Sequence, residues 1–340
     1  MKKLITLLAI AFTFQLQAQT ISQQWAKTWA GTGDNTDKLY CIKADNNGDY
    51  VIGGYTINAS SGKDFLIVKI NSAGDTLWTR TYNGTGNGTD QVTCIGVDAA
   101  NEIYVGGYGK ALNGTKDYII RKYNTAGDSM WTRYYNDAGL GDDYGLALYV
   151  KANGTVWMTG YSDGYAGAAI NNNYLTVCYD NAGALLFANS YDNNSNDYAT
   201  ALAVDANDNC IVTGRSNNSL DDDYATVKYN SAGVQQWVKL YDSGNGNDRA
   251  TAICTDASGN VFITGRSNNG TDDDFVTIKY NAAGTQQFLK AHDFGNGNDR
   301  ATGIGLDGSG NLMVCGRVAG PLADDVGLIQ YNSTNGNQIG

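Results

Sequence analysis

Asp248-Arg-Ala-Thr-Ala-Ile-Cys-Thr-Asp256, then Ala-Ser-Gly-Asn260, then Val-Phe-Ile-Thr-Gly265, holds two short β-prone runs joined by a Gly-containing turn. A polar loop ending in Asp272-Asp-Asp274 leads to a third run, Phe275-Val-Thr-Ile-Lys-Tyr280, and Asn-Ala-Ala-Gly284 turns it toward a fourth. One period earlier, Asp197 to Trp237 reads the same way. The glycine closing the second run recurs at Gly54, Gly107, Gly160, Gly214, Gly265 and Gly316, at spacings of 53, 53, 54, 51 and 51 residues. Four strands per unit of about 50 residues, repeated six times, predict an all-β chain folded as a β-propeller of six four-stranded blades.

The rest of the sequence agrees. Gly numbers 43 and Pro one, at Pro321, and no segment keeps a capped helical period. Gln23-Gln-Trp-Ala-Lys-Thr-Trp29 matches the fourth run Gln235-Gln-Trp-Val-Lys-Leu-Tyr241, so residues 23–29 are expected to close the ring as the outer strand of the last blade. Asn337-Gln-Ile-Gly340 resembles the start of another fourth strand, which leaves seven blades open if the chain belongs to a longer one.

Lys2 and Lys3, the apolar stretch Leu4 to Phe14 and the small residue at Ala18 read as an export signal over residues 1–18, followed by a single propeller domain over 19–340. The mature chain is then secreted, periplasmic or on the cell surface. Losing Lys2 and Lys3 takes the formal net charge from −11 to −13. Such an acidic surface argues against nucleic acid, and no later apolar run argues for membrane insertion. The six cysteines stand where other repeats carry small residues or, at Cys178, lysine, so free thiols are expected rather than a disulfide framework.

The pattern Asp-x-Ala-Thr-Ala-Ile-x-x-Asp-Ala-x-Gly-Asn-Val-x-x-Thr-Gly, followed by Asp-[Tyr/Phe]-x-Thr-[Val/Ile]-Lys-Tyr-Asn-x-Ala-Gly, resembles the SBBP repeat of exported bacterial β-propeller proteins and, more distantly, NHL repeats. The resemblance covers residues 23–336. It implies a propeller and an exported location, and it implies no reaction.

Tight turns join runs one to two and three to four, so every long loop falls on the opposite face, where function is expected. Three features there are candidates. Asp248 with Asp272, Asp273 and Asp274 is a candidate Ca²⁺ set; the competing reading has the repeated Asp residues accepting backbone N–H bonds at loop ends. The residue after each repeat glycine is Tyr55, Tyr108 and Tyr161 in three blades, then Arg215, Arg266 and Arg317 in three. That split suits a carbohydrate or a carboxylate, or it is a set of surface ion pairs such as Arg266 with Asp273 or Asp274. The lengthened loop of the third repeat adds Tyr165. With one histidine, His292, and no unequal carboxylate pair, the first expectation is no enzyme but a binding scaffold for a protein or glycan, with no cofactor except Ca²⁺. A glycan- or calcium-binding lectin-like module is the alternative, and an extracellular enzyme on the loop face the second.

Overall fold

The computed structural model describes residues 25–28, 36–58, 60–137, 141–164, 171–295, 297–320 and 323–339. The signal segment 1–18 and Tyr165 lie outside them. Among the described residues there is no helix, and so no helix long and apolar enough to cross a membrane. The strands form six antiparallel sheets in chain order. Blade one is Lys38–Ala44, Tyr50–Asn58, Gly62–Ile70 and Thr76–Tyr82, and the pattern recurs up to Asp324–Tyr331 in blade six. First strands of successive blades pack side by side along the inside of the arc. Five apolar clusters fill the blade junctions, from Val51, Phe65 and Val105 between blades one and two to Phe262, Leu312 and Ile329 between five and six.

The repeat glycine has a steric origin. Every first strand carries a bulge opposite it, between Ala250 and Ala252 in blade five for example. The bulge drives a carbonyl oxygen into the space a side chain would need: a β-carbon on Gly265 would lie 2.1 Å from the Arg249 oxygen, and one on Gly160 1.9 Å from the Tyr144 oxygen. The hairpin turns are held by their leading acid or amide. Asp45, in the Asp45-Asn-Asn-Gly-Asp49 turn, accepts N–H bonds from Asn47 and Asp49. In the matching turn of blade five Asp256 accepts them from Ser258 and Asn260.

Junctions are stitched as well as packed. The Trp78 indole donates to the Thr125 carbonyl, Trp131 to Asn181 and Trp237 to Ala282, each in the following blade. Tyr118 and Tyr174 donate their buried hydroxyls to Leu175 and Ala225 one blade on. All six cysteines are free.

The expected closure is not what the structure forms. Residues 25–28 pair with no strand; Trp25 donates to the Ser72 carbonyl and lies against Gly74, as a fourth-strand tryptophan of a blade preceding blade one would. Blade six begins its own outer strand instead, because Gln338 bridges to Tyr331 as Gln286 pairs with Tyr280 in blade five. Its sheet has three named strands, and its far face is bare: Val326 is 86 % exposed where its counterpart Phe275 is 1 % exposed. At the other end Leu39, Tyr40 and Ile42 of blade one are exposed too.

Candidate functional site

Strand register builds the inner rim of the loop face from pairs. The residue after each repeat glycine stands opposite the residue after each first-strand Asp: Gln91 with Tyr108, Tyr144 with Tyr161, Tyr198 with Arg215, Arg249 with Arg266, and Arg300 with Arg317. The first-strand partners escaped the sequence reading, although their own succession from Gln91 through Tyr144 and Tyr198 to Arg249 and Arg300 carried the same signal one strand away.

Half-buried tyrosines cross three blades in an unbroken row. Ring centroids are 4.8 Å apart for Tyr108–Tyr144, Tyr144–Tyr161 and Tyr161–Tyr198. The Arg215 guanidinium then lies 4.2 Å over Tyr198, joining the aromatic row to the cationic one. Burial first, then the neighbouring Tyr144, Tyr198 and Tyr108, push the Tyr161 phenol up to about 12, so it is neutral at ordinary pH.

Beyond Tyr198, five guanidiniums share three carboxylates. Asp222 is held by Arg215 at 2.8 Å and Arg249 at 2.7 Å. Asp273 is held by Arg266 and, at 4.0 Å, Arg300; Asp324 is 3.1 Å from Arg317. Burial would raise Asp222, but Asn217, Arg215 and Arg249 outweigh it and hold the carboxyl below its usual range. Arg249 is lowered by burial and by the like charge of Arg215 and Arg266. The Arg266 pair is not the surface contact expected from sequence, for its side chains are 15 % and 9 % exposed.

Beside the aromatic row a cavity of about 550 Å³ is lined by Ser61, Asn87, Lys110, Lys116 and Asp142. Lys116 pairs with Asp142 at 2.8 Å, donates to the Tyr144 hydroxyl and sits 4.6 Å over that ring. Burial would lower the Lys116 ammonium, yet Asp142 and Tyr144 outweigh it and raise it.

The acidic residues do not form the single set read from sequence. Strands alternate their faces, so Asp273 sides with Arg266 while Asp274, one residue on, turns away with Ser267. Asp272 accepts bonds from Asn269 and the Gly297 N–H. Asp248 lies one junction away and accepts the Ser243 and Asn268 N–H groups at 2.6 and 3.1 Å. The described residues hold two separate triads instead, Asp223–Asp242–Asp248 and Asp274–Asp293–Asp299, each with one oxygen per residue within 4.8 Å of the others.

No family model and no curated protein matches the chain. Solved structures do. A polysaccharide lyase described as an ulvan lyase bound to -[GlcA(1-4)Rha3S]- is similar with a TM-score of 0.52 at 12 % identity, over 87 % of this chain and 80 % of that one. The periplasmic gluconolactonase of Pseudomonas aeruginosa gives 0.52 at 12 % identity, over 88 % and 81 %. Sqt1 of Chaetomium thermophilum gives 0.54 at 10 % identity, over 88 % and 71 %. Two of these three are enzymes, a lyase and a lactonase, which overturns the expectation of a scaffold that is no enzyme: this architecture houses catalysis as well as binding. What the likenesses show for this chain is its fold, a β-propeller.

Proposed function

We propose that the chain is an exported propeller of the bacterial repeat type it resembles, and that it binds an anionic saccharide across the inner rim of its loop face. One observation carries the reading: a row of touching tyrosines, one pair stacked and two edge-to-face, runs into a guanidinium cluster that outnumbers its carboxylates, and Arg215 belongs to both. Sugar rings stack on aromatic faces, and a carboxylate or sulfate takes paired N–H bonds from guanidinium. An incoming anion would also relieve the mutual repulsion of Arg215, Arg249 and Arg266. The ulvan lyase of similar fold is bound to -[GlcA(1-4)Rha3S]-, which makes uronate and sulfated sugars the first probes.

The test is a glycan array probed with the chain lacking residues 1–18. Uronate- or sulfate-bearing oligosaccharides should be retained and neutral ones not. Arg249→Gln should weaken retention roughly ten- to a hundredfold, the scale of a lost charge-assisted bond. Tyr161→Ala should weaken it as well, and Asn281→Ala, in a tight turn on the other face, should leave it unchanged. Equal retention of neutral glycans, or full retention by both rim variants, would sink the proposal.

A second reading, turnover of the same saccharide, is favoured by Tyr144, whose phenol is held between Lys116 and Asp142 beside the cavity. A phenol so placed is an acid–base group. Eliminative cleavage of a uronate polymer would appear as rising ultraviolet absorbance of the unsaturated product. A flat trace with every polymer that binds would leave binding alone.

A further inference from the structure

The two aspartate triads lie at equivalent places. Asp223 is the second residue of the third strand of blade four, Asp222–Tyr229, Asp242 follows its fourth strand, and Asp248 precedes the first strand of blade five, Arg249–Thr255. One blade on, Asp274, Asp293 and Asp299 repeat the arrangement. Among the described residues none of the six makes an ion pair, although Asp222 and Asp273, adjacent in sequence, are paired with arginine. Three carboxylates within 4.8 Å with no cation repel one another strongly.

A second observation concerns the buried third-strand member of each triad. Asp223 and Asp274 are only 4 % and 6 % exposed. One oxygen of each accepts an amide, from Asn218 and from Asn269. The other, Oδ1 in both, is sealed from solvent with no hydrogen-bond partner. A buried carboxylate oxygen left bare costs free energy that a ligand would recover.

We infer that each triad is a Ca²⁺ site, one at the junction of blades four and five and one at that of five and six. The chemistry fits a hard cation: Ca²⁺ takes about six to eight oxygens in a forgiving geometry, and carboxylates serve it singly or in pairs. Three aspartates bring more charge than the ion neutralises, and water completes the shell. The other junctions each replace one aspartate by asparagine: Asn83 with Asp64 and Asp90, Asn136 with Asp117 and Asp143, Asn173 with Asp192 and Asp197. The chain thus contains its own versions of a weakened site.

The experiment is calorimetric titration of CaCl₂ into the metal-stripped chain lacking residues 1–18. Two equivalents should bind, and MgCl₂ at the same concentration should give no saturable heat. Asp242→Asn and Asp293→Asn copy Asn83 and Asn136, which this fold already accommodates. Each single variant should bind one equivalent and the double variant none, with its melting temperature no longer raised by Ca²⁺. No binding by the parent chain at millimolar Ca²⁺, a stoichiometry the two substitutions leave unchanged, or equal binding of Mg²⁺ would overturn the assignment.

Discussion

At Gly265 the cost of any side chain is written in the backbone, because the atom in its way is the Arg249 carbonyl oxygen rather than a movable side chain. Gly265→Ala should therefore destabilise the chain by roughly 1–3 kcal/mol, the scale of overpacking. Gly305→Ala, in the first strand of blade six with open space at its β-carbon, should be close to neutral. Denaturant unfolding of the two variants checks both, and equal stabilities would remove the steric account. The glycine was legible as a repeat marker from its spacing, but its reason was not, since the bulge belongs to the partner strand. Arg266 shows the same limit at closer range. Sequence offered Asp273 or Asp274 as its partner, and the alternation of strand faces selects Asp273.

At the scale of elements, the third strand of blades one, two and four is pinned to its own first hairpin by a buried ion pair. Lys69 meets Asp45 at 2.8 Å and Lys228 meets Asp205 at 3.0 Å, with side chains at most 4 % exposed. Lys122 instead meets Glu102 of its hairpin. Blade three lacks both partners, with Cys178 at the lysine position and Lys151 at the aspartate position. Losing one partner alone strands a buried charge, whereas losing both does not. Lys228→Met should cost roughly 3–5 kcal/mol, and Asp205→Asn added to it should return part of that loss. A double variant less stable than the single one would refute the coupling. The substitution of Lys by Cys178 was visible in the sequence; its compensation at Lys151 required knowing that hairpin and strand touch. Hairpins and their turns were legible because their signals are local. The bare face of blade six was not, because Val326 is as apolar as residues that a following blade covers.

For the molecule as a whole, buried carboxylates set the response to acid. Burial lifts Asp90, Asp117, Asp197 and Asp223 to about 6 and Asp143 to about 7. A folded-state value above the unfolded one means the folded chain binds the proton more tightly. The stability these groups contribute is present below the unfolded value and is lost as pH climbs through about 4 to 7. Asp45, Asp142, Asp205 and Asp222 are lowered, so their contribution is lost as pH falls below the ordinary carboxylate value. Without metal the chain should melt highest near about pH 5 and lower at about pH 8. Melting curves in chelator-containing buffers test this, and a midpoint that rises steadily from 5 to 8 would contradict it. The sequence showed the recurring aspartates but assigned one set of four where the sheet faces sort them into arginine partners and triads. That sorting depends on which side of a strand each acid occupies, and on a neighbouring blade some 25 residues away in sequence.

The tyrosine row has an optical consequence. Rings 4.8 Å apart share their electronic excitations, so Tyr108, Tyr144, Tyr161 and Tyr198 absorb as one coupled chromophore with a fixed handedness. Its circular dichroism is a signal native to the rim itself, set by the angles between rings and sensitive to anything that comes to lie against them.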